Sequence, residues 1–217
     1  MSTPIIFLHG WGASSQSFAG VRAFFESAAR CIFVDFDCNP DKIMTLDDYS
    51  EYVEEILIRE KITHCHIIAH SFGARVAVML GVRNPHMIRR MVLTGAAGLK
   101  PRFNLKTWTR IRLYKTFGIG KGSSDYQKLS RTGKITFQNI IRRDLAYEIE
   151  WLGIPTLLIF GDKDKSTPLN MAKRWTKLQK QSILKIYKGA GHFAFIDRPV
   201  EFMNDARTFL HKEENCT

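Results

Sequence analysis

No stretch of this 217-residue chain approaches the ~20 consecutive apolar residues that a membrane span requires, and the one early apolar run, Ile5 to Leu8, is too short for a signal-peptide core. A cytoplasmic protein without a transmembrane segment is the expectation. Cysteine is scarce: Cys31, Cys38, Cys65 and Cys216 form no C-x-x-C pair, two lie in strand-like apolar runs and one in a polar tail. That spacing argues against a zinc site and a disulfide framework, so the four read as reduced thiols. Acidic residues are missing from one segment in particular. The chain has 32 Lys and Arg against 21 Asp and Glu, yet Lys100 to Arg143 holds twelve bases and one acid, Asp125, and the remainder is balanced. The net charge of +11 therefore belongs to that segment. It carries none of the usual RNA- or DNA-reading motifs, and no nucleic-acid partner is expected.

Composition is otherwise that of one globular domain, with 45% hydrophobic and 24% charged residues. Short β-rich apolar runs alternate with helix-like segments, the pattern of a mainly parallel sheet covered by helices on both faces. Six runs qualify as strands: Pro4–Leu8, Cys31–Phe36, Cys65–Ala69, Met91–Thr94, Thr156–Phe160 and Leu184–Tyr187. Their continuous hydrophobicity predicts burial on both sides. Leu46, Tyr49, Val53, Ile56 and Leu57 fall on one helical stripe behind the potential cap Thr45, and Pro199 opens a second stripe of Phe202, Ala206, Phe209 and Leu210. From about 97 to 150 the rhythm breaks into helix-like pieces without a convincing strand, which reads as a helical lid inserted into a single domain spanning 1–217. The Gly118–Ser124 loop within it lacks the preceding strand and following helix that phosphate binding needs, and reads as a hinge.

The chemistry gathers at turns that follow strands. Ile67-Ile68-Ala69-His70-Ser71-Phe72-Gly73-Ala74 is a buried strand ending in a small-x-Ser-x-Gly turn and entering a helix, the context of a nucleophile elbow. A serine hydroxyl needs a base within hydrogen-bond reach and a third group to orient that base. Candidates follow the fifth strand, in Gly161-Asp162-Lys163-Asp164, and the sixth, in Gly189-Ala190-Gly191-His192-Phe193. Acyl transfer also needs two N–H donors for the oxyanion. The backbone N–H groups of Trp11, in the turn His9-Gly10-Trp11-Gly12, and of Phe72 can supply them, and the side chains of Trp11, Phe72, Trp108 and Phe193 are the candidates for lining a substrate pocket.

In that order, H-G-W-G, A-H-S-F-G, G-D-K-D and G-A-G-H-F resemble the α/β-hydrolase superfamily over nearly the whole chain. Within it they are similar to the small lidded serine esterases and C–C bond hydrolases, which include pimeloyl-carrier-protein methyl esterases and meta-cleavage-product hydrolases. The resemblance implies a triad of Ser71, Asp164 and His192, and takes Asp164, three residues after the glycine, over Asp162. It implies hydrolysis of a small-molecule carboxylic ester with no metal or organic cofactor. Thioester cleavage, C–C bond hydrolysis and a non-catalytic ligand receptor remain alternatives. Two departures stand out. Members usually carry two strands before the one ending in H-G, whereas this chain begins there, so a reduced sheet is expected; and Asp35-Phe36-Asp37-Cys38-Asn39-Pro40 replaces a glycine-rich D-x-x-G-x-G loop.

The other histidines have plainer readings: His9 and His70 as structural neighbours of the turns, His86 and His211 as surface residues, and His64 and His66 as polar residues at a strand entrance rather than a metal pair. In the insertion, Arg110, Arg112, Arg142 and Arg143 lie among apolar Leu105, Trp108, Phe117 and Phe137. That composition suits either a solvated basic face or a lid attracting an anionic substrate, an acidic carrier protein or an anionic membrane surface.

Overall fold

The computed structural model describes residues 3–100 and 127–211. Leu105, Trp108, Arg110, Arg112, Phe117, the Gly118–Ser124 loop, Asp125 and Cys216 lie outside the described residues. Six strands, β1 (Ile5–Leu8), β2 (Cys31–Val34), β3 (Cys65–His70), β4 (Ile88–Thr94), β5 (Thr156–Gly161) and β6 (Ser182–Tyr187), form one parallel sheet in the order β2-β1-β3-β4-β5-β6. This is the α/β-hydrolase fold with the reduced sheet expected. Leu8 is in register with Ala69, His70 with Thr94, and Thr94 with Ile159, so the loops leaving the C-terminal strand ends emerge along one rim.

Alternation along the strands divides the core. On β1, Ile6 and Leu8 face one layer and Ile5 and Phe7 the other. The first layer is built by α2 (Leu46–Arg59), α3 (Phe72–Arg83), α5 (Ala146–Trp151) and α6 (Leu169–Leu178), and the second by α1 (Ala19–Glu26) and α8 (Pro199–Leu210). Helix α2 starts where its stripe begins because Thr45 and Asp48 form a reciprocal capping box, and its buried residues include Leu46, Tyr49, Val53, Ile56 and Leu57. Burial on both sides holds for β1, β3 and β5 but not for β6. As the last strand of the sheet, β6 has one unpaired edge, and its Ile183 and Ile186 are 46% and 42% exposed.

Within the predicted insertion the described part holds two helices, α4 (Arg131–Arg142) and α5; a four-residue α7 (Ala194–Asp197) precedes α8, and a 3-10 turn (Ser15–Phe18) precedes α1. Helix α4 is fastened to the body at both ends. Asn39 Oδ1 accepts the Ser130 N–H at 2.8 Å, and the Thr132 hydroxyl donates to the Pro40 carbonyl at 2.8 Å. At the other end the buried Arg75 of α3 donates from one Nη1 to the carbonyls of Ile140 and Arg143, at 3.0 and 2.8 Å. Those carbonyls lack helical partners, so the guanidinium serves as a cap supplied from a neighbouring helix. Arg143 is also ion-paired with Asp47 and Glu148, at 2.6 and 3.1 Å. Arg143 is therefore neither a solvated cation nor part of an unpaired basic face: part of the insertion's charge is neutralised by the body.

Candidate active site

Sheet order explains where the site forms. The chain leaves β1 toward β2 on one side and leaves β3 toward β4 on the other, so the loops after β1 and β3 diverge and open a crevice at the C-terminal rim. Ser71 stands at the tip of β3 with φ 50° and ψ −107°. A non-glycine residue held there costs about 1–3 kcal/mol. Neighbouring backbone offsets that cost: the Ser71 N–H donates to the Thr94 carbonyl at 3.1 Å, and the Ser71 carbonyl accepts from Ala74 and Ala97, at 3.1 and 3.3 Å. Gly73 is equally constrained, since a Cβ there would lie 2.2 Å from the Leu8 carbonyl oxygen. The first turn of α3 therefore rests directly on the backbone of β1.

The three candidates from distant parts of the sequence form one hydrogen-bonded chain. Ser71 Oγ lies 3.0 Å from His192 Nε2, and His192 Nδ1 lies 2.8 Å from Asp164 Oδ2. Asp164 is buried, and Ser166 and Thr167 fill its remaining acceptor sites: Oδ1 takes the N–H groups of Ser166 and Thr167, at 2.8 and 2.9 Å, and Oδ2 also takes the Thr167 hydroxyl at 2.7 Å. Burial pushes the Asp164 carboxyl upward, but the hydrogen bonds from His192 and Thr167 outweigh it and hold the group below the usual carboxylate range. Asp162 faces elsewhere, accepting the Gly189 N–H at 2.7 Å and bracing the turn that precedes His192.

His192 is also held from behind. Gly95 has φ +52°, and a Cβ on it would lie 2.8 Å from the His192 carbonyl oxygen and 3.0 Å from its Nδ1. Of the two sequence-predicted oxyanion donors, the Phe72 N–H is an orphan of the first turn of α3. Neither it nor the Trp11 N–H has a partner among the described residues, whereas the adjacent Gly12 N–H donates to Cys38 Sγ at 3.3 Å. Side chains sort differently. The Phe72 ring is buried edge-on against Trp11, Phe36 and Tyr49, while Phe193 is 41% exposed beside His192. The Trp11 ring bridges Phe72 and Phe137 of α4, at 5.2 and 5.3 Å. Trp108 is outside the described residues.

Burial favours the neutral form of three further histidines. The Phe36 N–H donates to His9 Nε2 at 2.9 Å, so Nδ1 carries the proton directed at the Gly10 carbonyl, 2.8 Å away, and burial lowers the pKa of the ring. His70 directs Nδ1 at the Thr94 carbonyl, 3.0 Å away, and burial, aided by His192, pushes it down to about 3. His66 is lowered to about 4, chiefly by burial. Among the described residues no group of three or more His, Cys, Asp and Glu is arranged to hold a metal, and no helix is long and apolar enough to cross a membrane. Sequence reasoning missed Thr167 and Gly95. An aspartate followed by polar residues at the second and third positions is a recognisable Asx-turn signal for the first; nothing in the sequence marks the second.

A model of the Alpha/beta hydrolase family matches residues 5–206, and the chain belongs to that family. It is 25% identical, over 253 aligned positions covering 99% of this chain and 86% of the relative, to 2-hydroxy-6-oxo-6-(2'-aminophenyl)hexa-2,4-dienoic acid hydrolase of Metapseudomonas resinovorans. It is 29% identical to strigolactone esterase RMS3 of Pisum sativum over 108 residues, 46% of this chain and 39% of that protein. Among solved structures, the carboxylesterase CesB of Bacillus subtilis superposes with a TM-score of 0.74 at 19% identity, covering 98% of this chain and 85% of that one.

Proposed function

We propose that the protein is a serine hydrolase that cleaves a small-molecule carboxylic ester through an acyl-enzyme on Ser71. The observation that carries this reading is the unbroken chain from Ser71 Oγ through His192 to buried Asp164, with the serine in a strained turn. His192 takes the Ser71 proton as the hydroxyl attacks the carbonyl carbon, then returns it to the leaving alcohol. Water repeats the sequence on the acyl-enzyme, and Asp164 stays ionised throughout, holding the imidazole and stabilising the imidazolium. The Trp11 and Phe72 N–H groups receive the oxyanion, each worth on the order of 3 kcal/mol in the transition state. Trp11 and Phe193 flank the acyl group, and the insertion of about 97–150 acts as the lid.

A second reading, hydrolysis of an unsaturated oxo acid, is favoured by the name of the relative aligned over 99% of the chain, which specifies a hydroxy-oxo-hexadienoic acid. Both use the same triad, so a panel of esters, thioesters and vinylogous diketones separates them. A fluorophosphonate probe tests the shared premise: it should label the wild-type protein and leave Ser71→Ala unlabelled. Ser71→Ala should also lose turnover by several orders of magnitude while remaining folded. A folded wild-type protein that resists the probe would overturn the activated serine.

A further inference from the structure

We infer that Thr167 is a positioning residue that locks His192 in the reactive tautomer, an inference resting on the serine chemistry proposed above. The Thr167 hydroxyl lies 2.7 Å from Asp164 Oδ2 and 3.3 Å from His192 Nδ1, closing a triangle with the 2.8 Å contact between those two atoms. An ionised carboxylate only accepts, so the single Thr167 hydroxyl proton is committed to Oδ2. What Thr167 then turns toward His192 is a lone pair. Both oxygens flanking Nδ1 are acceptors, Nδ1 must carry the ring proton, and Nε2 is left as the unprotonated nitrogen facing Ser71. Thr167 is 4% exposed, and its own N–H holds Oδ1, so the hydroxyl has no competing water and the carboxylate cannot rotate away.

The hydroxyl also tempers the pair. By donating to the same oxygen that receives His192, it draws charge from that oxygen and weakens its hold on the imidazolium. Removing the hydroxyl while the two backbone N–H bonds to Oδ1 remain should therefore strengthen the hold and delay release of the proton on Nε2 to higher pH. The titratable side chains contacting the His192 ring are Asp164 and His70; of these only Asp164 loses a contact in this change, the Thr167 hydroxyl.

The test uses the rate of fluorophosphonate labelling of Ser71, which requires no knowledge of the substrate, measured across pH for the full-length wild type, Thr167→Val, Thr167→Ser and Thr167→Ala. Thr167→Val keeps the shape and loses the hydroxyl. It should react about tenfold more slowly at neutral pH, a fraction of the ~10²–10⁴-fold that a positioned base contributes. The acid limb of its profile should move to higher pH, and Thr167→Ser should restore both rate and limb. Thr167→Ala repeats the measurement should the valine variant not fold. Hydroxyl-free variants that label within twofold of wild type with an unmoved acid limb, or a serine variant as slow as valine, would overturn the role of Thr167. A wild type that does not label at all overturns the serine nucleophile and this inference with it, an outcome separable from the other two.

Discussion

Asp162 and Asp164 stand two residues apart on the loop after β5 and do different work. Asp162 braces a backbone turn, whereas Asp164 is buried against the imidazole with all its acceptor sites filled. Asp164→Asn should therefore lower kcat by about 10⁴, because an amide that donates to Nδ1 selects the wrong tautomer. Asp162→Asn should stay within about tenfold. The reverse ranking in steady-state kinetics would transfer the orienting role to Asp162. Because hydrogen bonds hold Asp164 below the ordinary carboxylate value of ~3.9, its ionised form stabilises the fold at all higher pH. That contribution is lost as pH falls through the lower folded value, and Asp164→Asn removes it from the acid-unfolding curve.

Helix α3 and strand β1 meet without a side chain between them. Gly73→Ala should unfold the protein or abolish activity, because the added methyl would press on the Leu8 carbonyl oxygen at the end of β1, where the obstacle is backbone rather than a flexible side chain. Gly20 in α1 is the contrast. Nothing lies within 4 Å of a Cβ there, so Gly20→Ala should stabilise by about 0.5–1 kcal/mol and raise Tm by about 1–4 °C in a thermal melt. Elements of this kind were unequally legible in sequence. The central strands could be read because burial on both faces leaves continuous apolar runs, and α2 because its cap and stripe are local. The start of β4 at Ile88 was hidden by Arg89 and Arg90, and the opening of β6 by Ser182, since strand ends and edges need no apolar run. The three members of the hydrogen-bonded chain, Ser71, His192 and Asp164, could be read from three turns in order. Thr167 and Gly95 could not, because their roles exist only once β4, the loop after β5 and the loop after β6 meet.

Charge belongs to the whole molecule, and its geography is narrower than the count suggests. Arg143 is tied to Asp47 and Glu148, so reversing it would break the foot of α4 rather than change a field. Lys100, Lys173, Arg174 and Lys177 line a cleft of about 250 Å³ beside Asn170 and Met171, and of these Arg174 is ion-paired with Asp144 at 3.7 Å. Its lining comes from two segments that adjoin the site in sequence: Ala97, three residues before Lys100, donates to the Ser71 carbonyl, and α6 begins just beyond Thr167. If that field steers substrate, kcat/KM for an anionic ester should fall about tenfold as salt rises and the Debye length shrinks below ~10 Å, while a neutral ester should be unaffected. Lys100→Glu, Lys173→Glu and Lys177→Glu together should flatten the anionic response without altering kcat for the neutral ester. Equal salt responses of the two esters would leave the cleft as ordinary solvated surface. The anchors on either side of the basic insertion carry a different consequence. Lys100 is held through its carbonyl by Arg174 at 2.8 Å, and Ser130 through its N–H by Asn39 at 2.8 Å, so the chain enters and leaves the stretch between them at two fixed points on the body. Exchanging the residues between the two anchors for a segment of other length should therefore leave the contacts among Ser71, His192 and Asp164 in place.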